Sequence, residues 1–111
     1  MSKKAFIGEF EQMVLLAILQ RGDEAFSLGI RQELDQRAGR EVSRGAFYAT
    51  LDRLEAKGYV KWNEEPPVSG RGGMPQRRFT VTAAGIRALR TSRSALMNLW
   101  QGLDSVLEES R

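Results

Sequence analysis

The sequence predicts a mainly α fold with one small β-hairpin, and three observations predict it. Apolar residues recur at a spacing of three and four in three stretches before residue 58. A period-two pattern then appears twice, on either side of a Pro- and Gly-rich segment. Helical spacing returns at Ile86 and holds as far as Leu107. With 111 residues, 41% of them hydrophobic and 28% charged, one compact domain is expected.

The first helix rests on Phe10, Met13, Val14, Ala17 and Ile18, with Leu15, Leu16 and Leu19 widening the stripe until most sides must be buried. Gly22 ends it and Asp23-Glu24 make a turn. Ser27 is the predicted cap of a second helix, anchored by Leu28, Ile30 and Leu34 and closed by Gly39. The hydroxyl of Ser43 caps a third helix that runs to Lys57, with Gly58 in the left-handed position beyond it. Phe47, Leu51 and Leu54 share one face of this helix and pack on the first two. The opposite side, with Gly45, Tyr48, Ala49, Asp52 and Arg53, is small enough to approach a groove closely.

Tyr59-Val60-Lys61-Trp62 and Arg77-Arg78-Phe79-Thr80-Val81 alternate and should pair as a hairpin. The segment from Glu64 to Pro75 holds all three prolines and reads as a long exposed loop. Thr82 caps a last helix whose stripe is Ile86, Leu89, Arg93, Leu96, Trp100, Leu103 and Leu107, broadened by Leu99 and Val106. About 27 residues of helix would be roughly 40 Å long, more than a small helical core can cover. A second subunit is therefore expected on it. The chain divides into residues 1–82, with a wing at about 59–81, and a C-terminal dimerisation helix, 83–111, packing on the first helix and on the partner. Phe10, Val14, Leu89, Leu96, Trp100, Leu103 and Leu107 are the expected dimer contacts.

Composition narrows the function. There is no cysteine and no histidine, which removes thiolate chemistry, the usual zinc ligands and the usual general base. No enzyme, no metal site and no cofactor is expected. The apolar run from Met13 to Leu19 is too short to span a bilayer, so no membrane partner and a cytoplasmic location are expected. Net charge is +3, and its distribution says more than its total: from Pro66 to Leu103 there are six arginines and no acid. Arg87, Arg90 and Arg93 among them read as a solvated helix face.

Three short helices followed by a two-stranded wing make a winged helix-turn-helix, in which the third helix enters the major groove and the wing meets the flanking backbone. The residues also resemble a family. Gly8 to Leu19 (GEFEQMVLLAIL), Gly45 to Val60 (GAFYATLDRLEAKGYV) and Arg71-Gly72-Gly73 leading to RFTVTAAG at Arg78 to Gly85 are together similar to PadR-like transcription regulators, of the compact branch with one C-terminal helix. Phe47 stands where an aliphatic residue is common in that family, and Phe79 where a tyrosine is.

The resemblance implies a homodimeric, sequence-specific repressor on double-stranded DNA with a palindromic operator, released by a small-molecule effector or a partner. It implies that Ser43, Arg44, Gly45, Tyr48 and Arg53 lie at or near DNA, with Arg71, Gly72, Arg77 and Arg78 in the wing. Tyr48 also reads as a half-buried surface aromatic, and Arg78 as a solvated position paired with Glu64 or Glu65. Trp100 and Trp62 are positions where an aromatic ligand could stack, although packing in an interface is the favoured reading of Trp100. The competing function is a winged-helix protein-interaction module without DNA binding, which an acidic recognition face would favour. Here Arg44 and Arg53 offset Asp52 and Glu55, and the basic wing favours DNA.

Overall fold

The computed structural model describes residues 6–66 and 74–109. Helices α1 (Glu9–Arg21), α2 (Ser27–Ala38) and α3 (Arg44–Ala56) come first, with a 3₁₀ turn at Gly22–Glu24. Strands β1 (Val60–Glu65) and β2 (Gln76–Val81) form an antiparallel hairpin, and α4 (Ala83–Trp100) and α5 (Asp104–Glu109) follow. None of the described helices is long and apolar enough to cross a membrane.

Two of the helix starts have a local cause. The Ser43 hydroxyl accepts the Ala46 amide at 3.1 Å, and the Thr82 hydroxyl accepts the Gly85 amide at 3.1 Å, so both expected caps form. Ser27, in contrast, is already inside α2, and Phe26 precedes it in extended backbone with no side-chain cap. The reason lies in the wing: Phe26 bridges Arg78, and the Phe79 amide donates to the Ala25 carbonyl at 2.9 Å. A minimal third strand thus pins the start of α2 to β2. Leu28, expected as an anchor, is 66% exposed, and Ile30 and Leu34 alone carry α2 into the core.

The core lies between α1, α2 and α3. Val14, Leu15 and Ile18 meet Ile30, Leu34, Phe47, Leu51 and Leu54, and Val60, Phe79 and Ala88 close the wing side. Val14 is 0% exposed, so this chain's own core covers it and it is not available as a dimer contact. Leu16 and Leu19 face out, so α1 is buried on one broad side only.

The C-terminal segment, whose continuity near Gly102 the sequence leaves open, is two helices. Gln101 leaves helical geometry, Gly102 has φ +83°, and the Leu103 amide closes a turn on the Trp100 carbonyl at 2.8 Å before α5 begins.

Two interactions fix where α3 and α4 sit. Glu11, on α1, has a carboxylate largely withdrawn from water that accepts from Lys57 Nζ at 3.1 Å on both oxygens, and from the Gly8 amide at 3.4 Å. Arg53 stands 3.5 Å away. Burial pushes the Glu11 pKa up, but Lys57, Gly8 and Arg53 outweigh it and hold the carboxyl below its ordinary value. At Gly85, a Cβ would fall 2.5 Å from the Tyr59 carbonyl oxygen and 2.8 Å from Val81 Cγ1, so only glycine lets α4 press on the hairpin base.

Two outcomes are expected. Gly85→Ala should lose about 1–3 kcal/mol to overpacking, whereas Gly45→Ala, with nothing within 4 Å, should gain about 0.5–1 kcal/mol in helix propensity; thermal melts compare them. Lys57→Met should cost about 1–3 kcal/mol near neutral pH by leaving Glu11 under-satisfied. Because the folded pKa is depressed, the stability tied to Glu11 is present above about 4.5 and lost as pH falls through the folded value. The gap between parent and Lys57→Met should therefore narrow on acidification, and a gap that stays constant from pH 7 to 3 (on the order of several proton-linkage widths) would contradict the tie.

Candidate nucleic-acid interface

The buried stripe Phe47, Leu51 and Leu54 turns the other side of α3 to solvent. At its N-terminal end Arg44, Gly45, Ala46 and Ala49 are exposed, and the first acid on the helix is Asp52. The Tyr48 ring leans edge-on against Phe47, centroids 5.4 Å apart at 71°, and the Arg44 guanidinium lies 5.7 Å from the Tyr48 centroid. The Tyr48 hydroxyl bonds to no described residue. Arg31 closes the turn into α3 by donating to the Val42 carbonyl at 3.3 Å.

The wing returns beside this end of α3. Ser27, Leu28, Tyr48, Pro75, Gln76 and Arg77 line one open cleft of about 350 Å³, so the start of α2, the middle of α3 and the start of β2 share a surface. Arg77 lies flat over the Trp62 ring at 4.2 Å, and Trp62 Nε1 donates to Glu55 Oε2 at 3.0 Å. This stack ties β1 and β2 to the outer side of α3. It leaves the Arg77 charge without a described acid.

Of the residues expected at the interface, the structure brings Tyr48 and Arg77 into this cleft, with Arg44 beside the Tyr48 ring, Gly45 exposed on the same first turn and Ser43 holding the helix start. Arg53 is drawn back: its Nη2 donates to Thr50 Oγ1 at 3.0 Å and its Nε faces Glu11. Arg78 pairs with Glu65 at 3.4 Å, the cross-hairpin alternative read from the sequence. Arg71 and Gly72 lie outside the described residues. Trp62 has one ring face under Arg77 and its nitrogen bonded to Glu55. The cleft also draws in Ser27, Leu28 and Gln76, which spacing along the chain does not join. An exposed leucine in the first turn of α2 is their one local signal. Among the described residues no cluster of acids stands close enough to hold a metal.

On the other side of the molecule α1 and α4 leave an open groove of about 810 Å³. Leu16, Leu19, Leu89, Leu96 and Trp100 supply its apolar lining, and Arg90 and Arg93 its charge. Of the expected dimer contacts, Leu89, Leu96 and Trp100 face this groove, Leu103 and Leu107 are exposed on and before α5, and Phe10 packs on the core beneath Arg40.

The chain matches a sequence model described as the transcriptional regulator PadR-like family over residues 15–91. The transcriptional regulator Rv3488 of Mycobacterium tuberculosis is 40% identical over 77 residues, covering 69% of this chain and 67% of that protein. A PadR-like transcription factor from Bacteroides fragilis superposes with a TM-score of 0.67 at 21% identity, over 87% of this chain and 88% of the other. A PadR family regulator from Eggerthella lenta does so with a TM-score of 0.65 at 23% identity, over 92% and 88%. Both structures share the fold.

Proposed function

The chain belongs to the PadR-like family of transcriptional regulators, and from that premise we propose that it is a homodimeric repressor binding a two-fold symmetric DNA operator through α3 and the wing. One observation carries the proposal: Tyr48 of α3 shares a cleft with Arg77 of the wing, and the exposed, acid-free first turn of α3 with Arg44 and Gly45 adjoins it, the Arg44 guanidinium 5.7 Å from the Tyr48 ring. Small residues let the helix backbone approach base edges, and Arg44 has the reach and the paired donors to read a guanine. The Tyr48 hydroxyl and the Arg77 guanidinium take backbone phosphates on either side, positioning the helix without reading sequence.

The apolar surface left on α4 supports two-fold symmetry. The Cα radius of gyration is 16.4 Å, against about 13 Å for a compact chain of this length. The far half of α4 extends from the core with Leu96, Met97 and Leu99 exposed, Leu99 at 74%. A second copy covering these faces would place two α3 helices on successive major-groove faces, about 34–36 Å apart. A small molecule bound near Trp100, or a partner, would release DNA by changing the angle between subunits.

The test is fluorescence anisotropy on DNA from the regulator's own upstream region, titrated in salt. Roughly 6–10 phosphate contacts would lower affinity about 10³–10⁵-fold between 50 and 200 mM salt. Arg44→Ala should cost about 1–3 kcal/mol and relax specificity at one base pair. Arg77→Ala should weaken all sequences alike and reduce the salt slope by about 1. Tyr48→Phe should cost about 0.5–1.5 kcal/mol. Weak binding, indifferent to sequence and to all three substitutions, would sink the proposal in favour of a winged-helix module for a protein partner.

A further inference from the structure

Leu28, 66% exposed, is the one large apolar side chain left in solvent across α2, α3 and β1. A single exposed leucine is ordinary on a protein surface, and what sets this one apart is its company. It stands in the first turn of α2, in the wall of the cleft that also holds Tyr48, Gln76 and Arg77, and no acid lines that cleft. The backbone under Leu28 is fixed to the wing. Phe26 bridges Arg78, the neighbour of Arg77, and the Phe79 amide donates to the Ala25 carbonyl at 2.9 Å. Gly29 closes the other side: a Cβ there would fall 3.2 Å from Arg21 Nη1 and 3.3 Å from the Glu24 carbonyl oxygen, so the first turn of α2 sits tightly on the turn before it. The seat of Leu28 relative to Arg77 is therefore set by backbone pairing.

We propose that Leu28 is a specificity-determining residue that reads the C5-methyl group of one thymine in each operator half-site. This rests on the DNA-binding reading and adds a base contact from α2 to the one from α3. The chemistry of the groove selects the target. Base edges in the major groove present donors and acceptors, and the thymine methyl is the apolar exception. Leucine has no hydrogen bond to offer a phosphate, so a role in positioning the backbone does not fit it. With Tyr48 and Arg77 on phosphates, a side chain standing out of the same cleft reaches the groove edge, where contact with a methyl group removes apolar surface of both from water. A protein partner fits less well. Such a contact needs an apolar patch, and on its other side Leu28 is flanked by Arg31, Gln32, Asp35 and Glu41, with only Val42 apolar among them.

The experiment is fluorescence anisotropy with the full chain on the duplex it protects in its own upstream region, each thymine replaced in turn by deoxyuridine, which lacks only the methyl group. For the parent, one replacement per half-site should weaken binding about three- to tenfold. Leu28→Ala should weaken binding to the thymine duplex by a similar factor and bind the uracil duplex no more weakly, so that the two losses do not add. Leu28→Met, apolar and of similar volume, should keep the thymine preference. Both variants should retain the parental salt slope, because no phosphate contact is removed. Circular dichroism checks that both fold, the position being exposed. A parent that binds every sequence alike overturns this proposal together with operator recognition. A parent that selects its operator yet tolerates every uracil, or a Leu28→Ala variant that keeps the full thymine preference, overturns the reading by Leu28 alone.

Discussion

Thr82 stands where the third helix, the wing and the terminal helix meet, and the rest of the molecule depends on that junction. Its amide donates to the Tyr59 carbonyl at 3.0 Å, its hydroxyl donates to the Gly58 carbonyl at 2.6 Å, and the same hydroxyl accepts the Gly85 amide at 3.1 Å. One side chain therefore satisfies a carbonyl that follows α3 and one of the free amides in the first turn of α4. Gly85 then brings α4 against the Tyr59 carbonyl with no room for a methyl group. The consequence is geometric: the direction of α4 is set by the end of the helix proposed to read DNA. A change of angle at the proposed subunit interface would have a short, stiff path to α3.

Charge is distributed with the same economy. Arg21, Arg37, Arg40, Arg53 and Arg78 each face a carboxylate and serve the fold. Arg44 and Arg77 instead lie over Tyr48 and Trp62. A contact with an aromatic face orders a guanidinium for about 0.5–1 kcal/mol while leaving its charge available, whereas an ion pair would neutralise it. Orientation without neutralisation suits a group meant for a phosphate or a base. The Glu11 carboxylate plays the complementary part, drawing Lys57 and Arg53 inward so that the far end of α3 is anchored to α1.

Much of this was legible in the sequence where a local contact decides the outcome. The caps at Ser43 and Thr82 need only a hydroxyl and an amide three residues on, and the hairpin needs only alternation between breakers. Legibility fails where a distant segment decides. Ser27 looks like a cap, but the bridge between Phe26 and Arg78 extends the backbone one residue earlier and makes Ser27 part of the helix. Val14 and Leu16 carry the same apolar signal, and only packing reveals that one is covered by this chain and the other is not. The turn at Gly102 stays undecided in the sequence, because a glycine there allows a break while the three-four spacing of Trp100, Leu103 and Leu107 continues through it. The cleft that joins Ser27 and Gln76 to Tyr48 and Arg77 exists only once α2, α3 and β2 meet.

The central claim is geometric: two α3 helices, held by a two-fold dimer, meet one face of a DNA duplex a helical turn apart. Hydroxyl-radical footprinting of the operator by the full chain tests it most directly. Two protected patches are expected on each strand, related by a dyad and centred about 10–10.5 base pairs apart, with hypersensitive or unprotected backbone between them. A single continuous patch, or two patches at a spacing that is not a whole number of helical turns, would contradict it.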